Sequence, residues 1–332
     1  MPANTLLTGS IVRVAEDVED KIYNHRPSDA PLVSMIGRRK VSSTYHEWIA
    51  DTYRAPNGDN AAIEGADASY AAQTQPQVYG NRTQIFQDTV SVSNTAEAVK
   101  KYGRASEIAR LKTKKMVELK RDIEAAVIGS GAAVTATGAV AGKLRGLYGF
   151  IATNNSLGAT GVAPNPITNT APVAGTLRPF TEALLQTVIG QVYGNGGDAS
   201  ILLVSPNHKV RASSFTGNVQ KTNEVGTQKG VSSSKGPNDV VLQTAFNFYG
   251  HDFGVTKVVP DRVMGAGGAG LVNTAYVVDP DKLALGQLRP FESEQLATTG
   301  DAKNWQIRTE VTLIVDQEST LGAVRDLTVT GA

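Results

Sequence analysis

Four histidines, two glycine-rich runs, one serine and a cluster of lysines are the groups in this chain with the means to do chemistry. His25, His46, His208 and His251 stand far apart, with no H-x-x-x-H pair and no carboxylate at metal-ligand spacing. They read as packing or surface residues, not as ligands or general bases. Gly265-Ala266-Gly267-Gly268-Ala269-Gly270 satisfies G-x-G-x-x-G. A dinucleotide site needs a helix N-terminus straight after such a run to hold the pyrophosphate. Here Leu271 to Val278 reads as a strand, so the run is a turn. Gly138 to Leu144 has three residues between its glycines where a phosphate loop has four, and Leu144 stands where a magnesium-binding hydroxyl belongs. Ser130, between Gly129 and Gly131, lacks the flanks of a nucleophile elbow. The chain has no cysteine, which excludes disulfides, thiol catalysis, Cys-ligated zinc and iron–sulfur clusters, and suits a reducing cytosol. These residues predict no cofactor, no metal and no enzyme.

The lysines are different. Between Lys100 and Arg121, nine Lys or Arg stand against two Glu, although the whole chain carries a net charge of only +1. Lys112, Lys114, Lys115 and Lys120 are the candidate site residues. They can neutralise nucleic-acid phosphates without reading sequence. They can equally meet carboxylates, on a neighbouring subunit or locally, as in the pairs Lys114 with Glu118 and Lys120 with Glu124. Only Tyr102 interleaves with them, so base stacking is not indicated.

A helix must carry this cluster. Asn94 with Glu97 reads as a capping box. Gly103 interrupts a first short helix, and the pattern resumes from Arg104 to Ile128. Ala105, Ile108, Ala109, Met116, Leu119, Ile123, Ala126 and Val127 recur every three or four residues as its apolar face. Before it lie a helix over 11–22 with an acidic outer face, a strand over 45–51, a polar excursion over 54–80 and a returning strand over 81–92. After it come an apolar patch over 144–151, a loop over 154–179, a helix from Thr181 to Val192 and a doubly buried strand over 201–204. A helix opened by Ser205-Pro206 follows, then a polar loop over 216–240 with Lys221, Lys229 and Lys235. Strands are predicted at 244–249, 253–259, 274–279 and 283–288. A half-buried strand over 305–315 follows, with 323–329 as its pairing partner. The fold class is α+β, a few helices on antiparallel sheet with long arms.

The 332 residues suffice for one large domain or two ordinary ones, and 41% apolar content supplies a core. Met1 to Ile11 lacks the pattern of a signal peptide, and no apolar run approaches the roughly 18–20 residues of a membrane helix. The 33 glycines cluster at loops and joints, as they would in a chain whose excursions become ordered against other copies of itself. The two strands around 54–80 have no core of their own and would be marginal alone.

The order of these features resembles the major capsid proteins of tailed bacteriophages with the Hong Kong 97-type fold, in the branch of the major head proteins of certain short-tailed phages. The resemblance rests on Ser28-Asp29-Ala30-Pro31 with Met35-Ile36-Gly37, Glu47-Trp48-Ile49-Ala50-Asp51 and Glu64-Gly65-Ala66-Asp67. It continues through Asn81-Arg82-Thr83-Gln84-Ile85-Phe86, Val90-Ser91-Val92-Ser93-Asn94-Thr95, Glu118-Leu119-Lys120-Arg121-Asp122-Ile123-Glu124 and Gly146-Leu147. It covers the first 150 or so residues and beyond them rests on architecture. It implies an N-terminal arm over 1–40, an extended loop over 41–93 and a peripheral domain with a spine helix over 94–150. An axial domain over 151–284 and peripheral strands over 285–332 complete the division. It implies self-assembly into hexamers and pentamers of an icosahedral head enclosing double-stranded DNA, built in the host bacterial cytoplasm and located in the virion. Portal and scaffolding proteins, a decoration protein and packaged DNA are the partners it implies, with no membrane. About forty residues precede the extended loop, which points to a separate scaffolding protein or none. The competing readings are the shell of a bacterial encapsulin-type nanocompartment, a soluble enzyme, and a plain nucleic-acid-binding module.

Overall fold

A computed structural model of the chain describes residues 29–329 apart from 66, 69, 71, 74, 102–104, 216–247 and 299. The predicted helix over 11–22, the break at Gly103 and the loop with Lys221, Lys229 and Lys235 lie outside the described residues. So does most of the strand predicted over 244–249.

Two larger sheets and one small one organise the chain. The first sheet has four strands in the order β1 (Gly37–Lys40), β10 (Leu283–Gln295), β11 (Ala302–Val315) and β4 (Gln84–Ser93). The β10–β11 and β11–β4 pairings are antiparallel, and β1 joins parallel to β10. Helix α3 (Glu107–Gly129) packs on this sheet and buries Leu119, Ile123, Val127 and Ile128. Its 23 residues span about 35 Å. Burial is confined to the C-terminal half: Met116 is exposed, so the predicted apolar stripe is covered only from Leu119 onward.

The second sheet has the order β5 (Asn154–Ser156), β12 (Gly322–Val324), β9 (Ala275–Val278), β6 (Ile201–Val204), β8 (Gly254–Pro260) and β7 (Phe248–His251). The continuous burial of β6 and β9 follows from the strand period of two. Leu202, Val204, Ala275 and Val277 enter one cluster with Leu185, Val188, Ile189 and Val192 of α5 (Glu182–Gly194). Ile201, Leu203, Tyr276 and Val278 face the other way, into the main cluster with α3 and the first sheet. That cluster also takes α1 (Pro31–Met35) and the fully buried turn α4 (Leu147–Phe150). Ser205 caps α6 (Pro206–Ser213) through the His208 N–H, as the Ser-Pro pair predicts.

The third sheet is a ribbon, β2 (Tyr45–Ala50) antiparallel to β3 (Gln77–Arg82).

Several sequence expectations change here. The returning strand over 81–92 is two strands: β3 closes the ribbon, and β4 leaves it after Thr83 for the four-stranded sheet. The capping box is displaced by one residue. Ser93, not Asn94, caps α2 (Asn94–Ala98) by accepting from the Ala96 N–H at 3.1 Å. Glu97 accepts instead from the Glu107 N–H at 3.0 Å, bridging α2 to α3. Helix α3 begins at Glu107, capped by Ser106, and not at Arg104. Strand β11 has 14 residues, and Val311 to Val315 is buried without alternation because both faces are covered. Residues 322–324 do not pair with it. They join β9 and β5 in the other sheet, because Leu321, Ala323, Val324 and Leu327 are all buried in the clusters that sheet serves.

Candidate functional site

Three of the four candidate lysines clamp α3 to a different neighbouring element. The Lys112 ammonium lies 3.2 Å from the centre of the Trp305 ring on β11, a cation–π contact. Lys115 Nζ stands 3.0 Å from Asp88 on β4 and 2.9 Å from Glu118 on its own helix. Hydrogen bonds to Glu118 and Asp88 raise its pKa above the ordinary lysine value. Lys120 Nζ donates to Ser34 Oγ of α1 at 3.0 Å. Lys114 is the loosest, 3.8 Å from Glu118 and more than half exposed. The helical-spacing pair Lys114 with Glu118 is present. The pair Lys120 with Glu124 is replaced by Lys120 with Ser34, because Glu124 turns inward to accept from the Leu32 and Val33 N–H groups.

The groups considered for chemistry occupy structural places. His208 is buried between Ser205 and the Thr328 carbonyl, and burial lowers its pKa. His46 packs beside Trp48, and His251 bonds Thr256. His25 lies outside the described residues. The run Gly265–Gly270 overlaps a short 3₁₀ turn (Val263–Ala266), with Gly267 and Gly268 at φ of 102° and 98°. A turn through Asn273 follows where a nucleotide site needs a helix, and the strand predicted from Leu271 begins only at Ala275, as β9. Ser130 caps the C-terminus of α3 through its backbone. Among the described residues no group of three metal-ligating side chains occurs, and no helix is long and apolar enough to cross a membrane.

The surface that most needs a partner is the ribbon's loop. Every described residue from 51 to 76 is exposed, including Tyr53 at 104%, Ile63 at 83% and Tyr70 at 95% of full accessibility. The segment carries Asp51, Asp59, Glu64 and Asp67 against the single base Arg54. Its base is anchored by groups that the sequence did not single out for this role. Buried Asn81 donates to the Arg145 carbonyl at 2.9 Å and the Leu313 carbonyl at 2.8 Å, and accepts from the Arg145 N–H at 2.8 Å and the Arg82 N–H at 2.9 Å. Trp48 packs against Phe150 of α4 and Tyr79 of β3. This loop, the arm over 51–76, is thus rooted at its base and uncovered along its described length.

Buried charge locks the rest of the molecule. Arg325 donates to Asn155 Oδ1 at 2.8 Å and the Ile151 carbonyl at 2.7 Å, with its guanidinium 4.6 Å from the Tyr148 ring centre. Its neighbour Asp326, at φ 58°, accepts from the N–H groups of Gly158 and Gly175, both at 2.9 Å. Burial lowers the pKa of Arg325. Helical phase was the sequence signal for buried Glu124, which falls on the same face of α3 as Val127 and Ile128; Arg325 and Asp326 lie outside any helix and had none.

The model of the SU10 major capsid protein family matches residues 1–328. The major capsid protein of Escherichia phage Phieco32 is 26% identical over 320 residues, covering 86% of this chain and 87% of that protein. Among solved structures, the Cyanophage A-1(L) capsid asymmetric unit superposes with a TM-score of 0.58 at 13% identity, over 97% of this chain and 98% of that one. The holo-SrpI encapsulin complex from Synechococcus elongatus PCC 7942 superposes with a TM-score of 0.54 at 10% identity, over 96% and 94%. At these identities the structures speak for the fold, which is the Hong Kong 97-type capsid fold. The family match runs through both large sheets and the arm alike, and the chain therefore belongs to the SU10 major capsid protein family, a structural protein of the phage head.

Proposed function

We propose that copies of this chain close into an icosahedral head of hexamers and pentamers around double-stranded DNA. The observation that carries the reading is the arm over 51–76, rooted by Asn81 and Trp48 yet exposed along its whole described length. An exposed segment with three large apolar side chains is accounted for when a second copy covers it. In this reading the arm lies across a neighbour, and α3 with the four-stranded sheet forms the peripheral domain. The six-stranded sheet forms the axial domain, to which Gly322–Val324 is added on the strength of its pairing. Portal, scaffolding and decoration proteins are the further partners, assembly takes place in the host cytoplasm, and the role is structural with no catalytic step. Purified recombinant particles test this: the expected outcome is closed shells of uniform diameter, and a monodisperse small oligomer under all assembly conditions contradicts it.

We further infer that Lys112, Lys115 and Lys120 serve the subunit more than the packaged DNA, because each already holds a partner on another element. Non-specific electrostatic contact with DNA then falls to freer cations such as Lys114. Replacing the first three by Gln is expected to leave the DNA content of heads unchanged while lowering subunit stability. A drop in packaged DNA with stability intact contradicts the assignment. The encapsulin neighbour gives the second reading, a shell around protein cargo. The absorbance ratio of purified particles separates the two.

A further inference from the structure

The segment Asp29–Met35 is held to α3 through a closed, carboxylate-lined contact. Ala30 stands at the N-cap of α1 and has no side chain to cap it, so the Leu32 and Val33 N–H groups donate to Glu124 at 2.6 and 2.8 Å. Lys120, one turn earlier on α3, bonds Ser34 Oγ of the same segment. Glu124 is fully buried, and so is Asp261, on the turn after β8. Asp261 Oδ1 accepts from the Val263 N–H at 2.8 Å, while its buried Oδ2 has no hydrogen-bond partner among the described residues. The Asp261 charge acts on Glu124. The other charged groups facing them are Lys120 and Arg121 from α3 and Asp29 from the segment. At the surface Asp29 pairs with Arg262 at 3.7 Å. No cation bonds either buried carboxylate directly among the described residues. Keeping both ionised therefore carries a desolvation cost that one proton relieves.

We propose that the Asp29–Met35 segment is a proton-linked latch on the long helix. Seated, it closes Glu124 and Asp261 into a site that retains a proton; unseated, it exposes them and the proton passes to water.

The direction follows from burial. Burial, with the Asp261 charge, lifts Glu124 to about 7 against the opposing N–H bonds and Lys120, and burial lifts Asp261 to about 6. In water both return toward their ordinary values of 4.5 and 3.8. The seated state thus binds protons more tightly than the open one. Its added stability is full below the ordinary values and is lost as pH rises through about 6 to 7. The latch loosens on the alkaline side.

Hydrogen exchange of the full chain tests this, read at the peptide spanning 30–36 and corrected for the intrinsic pH dependence of exchange. Protection is expected to fall about tenfold from about pH 6 to about pH 8, with β6 unchanged as the internal reference. Glu124→Gln is expected to shrink that fall to about twofold or less, the part left to Asp261. Unchanged or rising protection in the wild type overturns the proposal, as does a fall that persists at about tenfold in Glu124→Gln. Should that variant not fold, Asp261→Asn is the second arm. Removing the neighbouring charge is expected to move the fall to lower pH, and an unmoved fall overturns the latch. The test concerns the subunit alone, so its outcome is independent of what a shell encloses.

Discussion

Asn81 and Lys115 both join distant parts of the chain, and burial separates their worth. Asn81 is fully buried with both carbonyl-directed N–H groups and its oxygen satisfied. Asn81→Ala leaves the Arg145 and Leu313 carbonyls and two N–H groups without that partner, each loss of this kind costing about 1–3 kcal/mol. Denaturant unfolding is expected to show a loss of at least ~2 kcal/mol; a change below ~0.5 kcal/mol contradicts the anchoring role. Lys115 is partly exposed, so Lys115→Gln is expected to cost no more than ~1 kcal/mol by the same measurement, less in high salt. Charge was legible in the sequence because Lys and Glu declare it by type and spacing. Asn81 was not, because its partners lie 64 and 232 residues away and no local period marks a polar side chain that will be buried.

Helix α3, strand β2, strand β6 and the Ser205 cap were readable because each is specified by neighbours in sequence: a period of 3.6, a run of apolar residues, a hydroxyl before a proline. The division at Thr83 and the placement of Gly322–Val324 were not. A strand's period does not say which sheet it joins, and β4 and β12 find partners hundreds of residues away or across a crossover. Two tests belong to the elements. The end of α3 meets α4 so closely that a Cβ on Gly149 would lie 1.5 Å from the Gly131 carbonyl oxygen, whereas one on Gly138 meets nothing within 4 Å. Gly149→Ala is expected to abolish soluble folded protein and Gly138→Ala to leave its melting curve unchanged; equal behaviour of the two contradicts the packing. The arm over 51–76 is expected to be cut rapidly by protease in free subunits and protected in shells. Equal cleavage in both states contradicts its lying across a neighbour.

The described residues pack into a main cluster and a second one on the far face of the six-stranded sheet, with an uncovered arm. The main cluster links α1, α3, α4, the four-stranded sheet and one face of the six-stranded sheet. The arm is uncovered, and on the N-terminal half of α3 Ala109, Thr113, Lys114 and Met116 are exposed. Order of elements, more than any motif, made the capsid resemblance legible in the sequence, and the family match over residues 1–328 agrees with it. What the sequence could not carry is the closure of copies into a shell, since that depends on angles between subunits. Electron microscopy of the purified recombinant chain tests it most directly. Closed particles of uniform diameter built from hexamers and pentamers are expected, with density for residues 51–76 lying on an adjacent subunit. Particles in which that loop stays on its own subunit, or a chain that remains monomeric under all assembly conditions, would contradict it.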